Sequence, residues 1–71
     1  MNRQQRLTMA DAAATRAASL AREAERYATH PDYTHKAAPL AEAGVLWAEV
    51  AKAHAAIAAV LPEIVDETPE A

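Results

Sequence analysis

Between residues 40 and 61 the chain reads LAEAGVLWAEVAKAHAAIAAVL, and its large apolar positions recur three and four apart. At about 100° per residue that spacing predicts a helix with Leu40, Ala43, Trp47, Val50, His54, Ile57 and Leu61 in one bulky stripe. A second stripe, Ala41, Gly44, Ala48, Ala51, Ala55 and Ala58, carries nothing larger than a methyl group, so another backbone can approach it closely. Leu46, Ala53 and Val60 widen the bulky side. Only Glu42, Glu49 and Lys52, with Val45 and Ala56 among them, form a strip for water. A helix apolar over most of its circumference needs cover on more than one side.

The preceding segment supplies one cover. Leu7, Ala10, Ala14, Ala17, Ala21, Ala24 and Ala28 hold the same spacing, flanked by Ala13, Leu20 and Tyr27. Asp11, Thr15, Ser19, Arg22, Glu23, Arg26 and Thr29 lie opposite, so this helix is amphipathic with one dry and one wet face.

Prolines set the boundaries. Helix one is expected over about 4–29, ended by His30-Pro31, because the residue before proline is pushed out of the helical region. The linker HPDYTHKA occupies 30–37. Helix two is expected over about 38–61, with Pro39 in its first turn and Pro62 stopping it. An acidic tail, 62–71, completes the chain; Ile64 and Val65 continue the two seams, and order is expected to fade after about Asp66. Two helices of matched length predict an all-α fold, an antiparallel two-helix hairpin that dimerises into a four-helix bundle. In the favoured register the alanine stripe of helix one meets the small seam of helix two, and the bulky seam faces a second copy. The reversed register, with the bulky seam inside, is the alternative.

Composition strengthens the case for a partner. Of 71 residues, 21 are alanine, whereas Leu, Ile and Val together fill 11 positions and Phe none. Alanine favours helix but buries little area, so one copy has scant material for a core. Chains this small lean on disulfides, metals or oligomerisation, and the sequence contains no cysteine. A homodimer is therefore expected, or a heterologous helical protein partner completing the same seam.

The net charge of −3 is uneven. Residues 1–30 carry five arginines against three acids, and the remainder two lysines against seven acids. That asymmetry suits antiparallel pairing better than a polyanion partner. MNRQQRL starts basic, but Asp11, Thr15 and Arg16 break up the segment after it, so no signal peptide is expected. Glu42, Glu49, Lys52 and His54 likewise argue against a membrane span over 40–61, since central charges cost about 2.5–3.5 kcal/mol each on insertion. A soluble, cytoplasmic protein is the expectation.

Few residues suggest chemistry. His30, Asp32 and His35 in HPDYTH offer two imidazoles and a carboxylate within six residues, a potential transition-metal set; a solvated turn is the plainer reading. His54, inside the bulky stripe, reads as a polar residue that a partner satisfies and that fixes register. Trp47 and Tyr27 read as core aromatics, leaving Tyr33 the freest to touch a partner. Arg16, Arg22 and Arg26 form a candidate nucleic-acid strip on helix one, although Asp11 and Glu23 share its face and a solvated, salt-bridged surface is the simpler account. Gly44 is the only glycine, so no phosphate-cradling loop exists, and no triad spacing appears. Neither enzymatic activity nor a cofactor is expected.

AAPLAEAGVLWAEVAKAHAAIAAVLPE, together with MNRQQRL and AERYAT, resembles small alanine-rich proteins of unknown function from actinomycetes such as Streptomyces. The resemblance covers most of the chain, implies a bacterial cytoplasmic setting and brings no functional residues with it. The expected role is a non-enzymatic interaction or scaffold module whose interface is Leu40, Trp47, Val50, His54, Ile57 and Leu61. A small RNA- or DNA-binding regulator using Arg16, Arg22 and Arg26 is the first alternative, and metal binding by the His30-Asp32-His35 loop the second.

Overall fold

The computed structural model describes residues 1–62. The expectations for Ile64, Val65 and the fading of order after Asp66 lie outside the described residues. Those residues are all-helical, with two long helices, α1 (Arg3–Ala28) and α2 (Ala37–Val60), and a short 3-10 turn (Thr34–Lys36) leading into the second.

Helix α1 starts on a reciprocal cap. The Asn2 side chain accepts from the Gln5 amide at 2.7 Å, and the Gln5 side chain accepts from the Asn2 amide at 2.8 Å. Two otherwise unpaired backbone donors are thereby satisfied. At the other end the Thr29 hydroxyl donates to the Arg26 carbonyl at 3.1 Å, and His30 N donates to the Tyr27 carbonyl at 3.1 Å.

Helix α2 starts differently. Its N-cap, Lys36, makes no side-chain cap; the 3-10 turn supplies the acceptors, with Lys36 N donating to the Tyr33 carbonyl at 2.9 Å and the Ala37 amide to the Thr34 carbonyl. Pro39, third in the helix, needs no acceptor. Leu61 leaves the helix with extended backbone (φ −85°, ψ 145°), the region favoured before Pro62.

The helices touch along their length, and the contacts run in opposite chain directions. Arg6 meets His54, Arg16 meets Trp47, and Ala17 and Leu20 meet Gly44. On α2 the side facing α1 is the small seam: Gly44 and Ala58 are buried and Ala48 and Ala51 half-buried, while Ala41 and Ala55 stay exposed. A Cβ at Gly44 would lie 3.5 Å from the Ala17 carbonyl oxygen and 3.8 Å from the Ala21 amide nitrogen. Backbone thus meets nearly bare backbone there.

Helix α1 is turned from its expected setting. Its covered face is Ala10, Ala13, Ala17, Leu20, Ala24 and Tyr27, whereas Leu7, Ala14, Ala21 and Ala28 are exposed. The expected flank is therefore the contact surface. Covering Leu20 and Tyr27 removes more apolar area from water than covering Ala14 and Ala21, and the rotation follows from that difference. Even so, the buried apolar side chains among the described residues are Ala13, Ala24 and Ala58 alone.

Candidate functional site

The bulky stripe of α2 straddles the edge of the helix pair. Leu40, His54 and Leu61 are tucked half-buried toward α1, and Trp47, Val50 and Ile57 remain exposed. The most open apolar positions lie further round, at Leu46 (66% exposed) and Val60 (81% exposed). Leu46, Val50, Ala53, Ile57 and Val60 succeed one another at spacings of four and three, so they make a continuous uncharged ridge on the helix. The interface residues expected from sequence are the inner edge of this ridge. Leu46 and Val60, expected only to widen the bulky side, are its crest. Their signal is present in the same 100° spacing, but the centre of the stripe depends on how far α2 is rolled against α1.

Trp47 marks the border. The Arg16 guanidinium lies 5.3 Å from the centre of its ring, a cation held against the aromatic face across the groove between the helices. A surface hollow on α1 lined by Ala12, Thr15, Arg16, Ser19, Leu20 and Glu23 adjoins that contact. Another, lined by Ala41, Glu42, Val45 and Leu46, adjoins the crest of the ridge.

His54 has its partner within the chain. Arg6 Nη1 and His54 Nδ1 are 3.1 Å apart. Arginine only donates, so Nδ1 is the acceptor in this bond. This bond fastens the start of α1 to the last third of α2. The Arg6 Nε, also out of contact with water, has no hydrogen-bond partner among the described residues.

Arg16, Arg22 and Arg26 are all exposed, and two of them lie beside aromatic rings. Arg16 lies on Trp47, Arg26 lies 5.3 Å from the Tyr27 ring centre, and Arg22 is exposed. Cations and aromatics gather where the two helices join. Lys36 Nζ is 4.9 Å from the Tyr33 ring centre and 5.6 Å from that of Tyr27; the two tyrosines meet edge to face at 5.9 Å, and His30 packs on Tyr33 at 4.6 Å. Arg26, Lys36 and the two rings thus make a positively charged aromatic cap over the joint.

No three histidine, cysteine or acidic side chains are grouped to hold a metal ion among the described residues. His30 Nδ1 accepts from the Asp32 amide at 3.2 Å while its ring packs on Tyr33, so it serves the turn and is not gathered with Asp32 and His35 into a ligand set.

By length and composition Thr34–Val60 is long and apolar enough to cross a membrane, with a mean hydropathy of 1.3 over its most apolar window. That is a further expression of the exposed ridge, since 11% of the window is buried by the rest of the chain. Comparison with protein-family models, with curated proteins and with solved structures finds no match to this chain.

Proposed function

We propose that this protein is a non-enzymatic interaction or scaffold module: an antiparallel helical hairpin that works by covering the ridge of α2 with another helical surface, as in a four-helix bundle. The observation that carries this reading is the contrast between core and surface. Six large apolar side chains of α2, namely Val45, Leu46, Trp47, Val50, Ile57 and Val60, are exposed, while the buried apolar side chains of the described residues are alanines. Contiguous apolar surface of that kind marks association sites. The setting we assign is the bacterial cytoplasm, which rests on the resemblance to alanine-rich actinomycete proteins and on the charges Glu42, Glu49 and Lys52 within α2.

Sedimentation over a wide concentration range, with helicity followed by circular dichroism, tests this. A helical self-associating chain supports the reading, as does a poorly helical monomer that gains helix on meeting a helical partner. A fully helical monomer at every concentration overturns it.

A second reading, a small nucleic-acid-binding regulator, draws on the cap over the joint, where Arg26 and Lys36 lie beside two stacking surfaces. Retention on single-stranded nucleic acid at low salt, lost in Arg26→Ala/Lys36→Ala, supports it; no retention at low salt removes it.

A further inference from the structure

We infer that the contact between Arg6 and His54 is a pH-sensitive latch, which holds the start of α1 on the last third of α2 while the His54 ring is uncharged and lets go when the ring takes up a proton. The latch lies on the side of α2 that α1 covers. It therefore stands or falls independently of what meets the exposed ridge.

The chemistry is that of one nitrogen. Arg6 Nη1 lies 3.1 Å from His54 Nδ1, and a guanidinium has no lone pair to offer, so the bond exists only while Nδ1 is bare. A proton there removes the acceptor and sets two cations side by side. Histidine is the side chain whose charge ordinarily changes between about pH 5 and 8, so the bond is exposed to mild acid in a way that an arginine–amide bond is not. Both partners are half-buried. The Arg6 Nε is out of contact with water and has no hydrogen-bond partner among the described residues, so the guanidinium leans on its Nη1 bond. Losing that bond leaves a partly buried charge poorly solvated, which costs more than losing an exposed contact.

The surroundings do not cushion a second charge. Arg3 lies one turn before Arg6 on the same side of α1 and adds a further cation. The positions one turn from His54 on α2 are Val50, Ala51, Ile57 and Ala58, all uncharged. Lys52 is paired with Glu49 at 3.4 Å. Among the described residues no acid lies within one helical turn of either partner, the nearest being Asp11, exposed on α1, and Glu49.

What the latch holds shut is the far end of the small seam. Ala58 is 1% exposed beneath the start of α1, and Leu61 is half-buried beside it. An alanine contact contributes little area, so a single polar bond weighs heavily at this end. The other end is fastened separately, by Leu20 against Gly44 and by the tyrosines of the joint. Acid should therefore part the helices at one end only, adding Ala58 and Leu61 to the apolar surface of α2.

The test uses the full chain, whose lack of cysteine allows one thiol to be placed at a chosen site. A nitroxide on Thr8→Cys, an exposed position of α1, broadens the amide signals of whichever residues of α2 lie near it, and one on Arg22→Cys does the same for the joint end. Between about pH 8 and about pH 5.5 the broadening of residues 51–60 by the first label should fall at least about threefold, and that of residues 37–44 by the second should hold. His54→Gln, whose side-chain oxygen accepts at either pH, should abolish the response, and His30→Gln/His35→Gln should keep it.

A response that survives in His54→Gln, or that disappears with His30 and His35, overturns the inference. So does equal broadening at both pH values in the native chain. A response that grows with protein concentration belongs to association and overturns it too. Should His54→Gln not fold, the ring nitrogen shifts of the native chain decide: Nδ1 bare at about pH 8 and protonated in step with the lost broadening sustains the latch, and a proton on Nδ1 at about pH 8 overturns it.

Discussion

Helix α1 and helix α2 are nearly equal in length, 26 and 24 residues, and differ in almost everything that makes a helix durable in water. The first has a reciprocal cap, five arginines along its length and bulky contacts turned inward at Leu20 and Tyr27. The second has no side-chain cap, three charged residues, and most of its large side chains turned outward. Covering the small seam brings the helices close but leaves the apolar side chains of α2 unsatisfied. Close packing and exposed apolar area are thus divided between two surfaces of one helix.

Changes to the close contact should have the largest effect. Ala58 is 1% exposed, and Ala58→Leu forces extra carbons between the helices, with an expected loss of about 2 kcal/mol in urea unfolding at fixed protein concentration. Ala55→Leu, one turn earlier and exposed, should change little. Equal effects at the two positions would mean that the small seam is not the side facing α1.

The cap difference comes next. Asn2→Ala should cost about 1 kcal/mol by removing the acceptor for the Gln5 amide. Its signature is lost helicity at the start of α1, read as faster amide exchange over the first turn. Unchanged exchange there removes the cap from the comparison.

Gly44→Ala sharpens it in the opposite direction. The added methyl group lies at ordinary contact distances, 3.5 Å and beyond, so the gain in helix propensity should stabilise the chain by about 0.5–1 kcal/mol. A loss instead would show that the backbones pass closer than these distances.

The smallest effect belongs to the border residue. Arg16→Ala should cost about 0.5 kcal/mol and shift Trp47 emission to the red as water reaches the uncovered face of the ring. No emission change would place the guanidinium elsewhere in solution.

The helical class and the presence of two helices are legible in the three-and-four spacing and in the placement of Pro31, Pro39 and Pro62. The face that α1 turns inward is not. Alanine sits at 10, 12, 13, 14, 17, 18, 21, 24 and 28, so small residues surround much of the helix and provide little contrast. Leu20 and Tyr27 decide the rotation, and their weight emerges only against a particular neighbour. The 3-10 turn within the linker is also hard to read, since THK has no capping pattern. Arg16 and Trp47 lie far apart in sequence, so an arginine read as solvated becomes the cover of an aromatic ring. His54 is legible as a polar residue that needs a partner, but Arg6 can be identified as that partner only when the helices are in register.

The buried alanines at 13, 24 and 58 carry a calorimetric consequence. Unfolding a single copy exposes little apolar area, so its heat-capacity increment should be small for its length and its stability should vary gently with temperature. Melting of the isolated chain should accordingly be broad. A partner that covered the outside of α2 would add most of the curvature in the stability profile, because the side chains whose hydration generates it lie there.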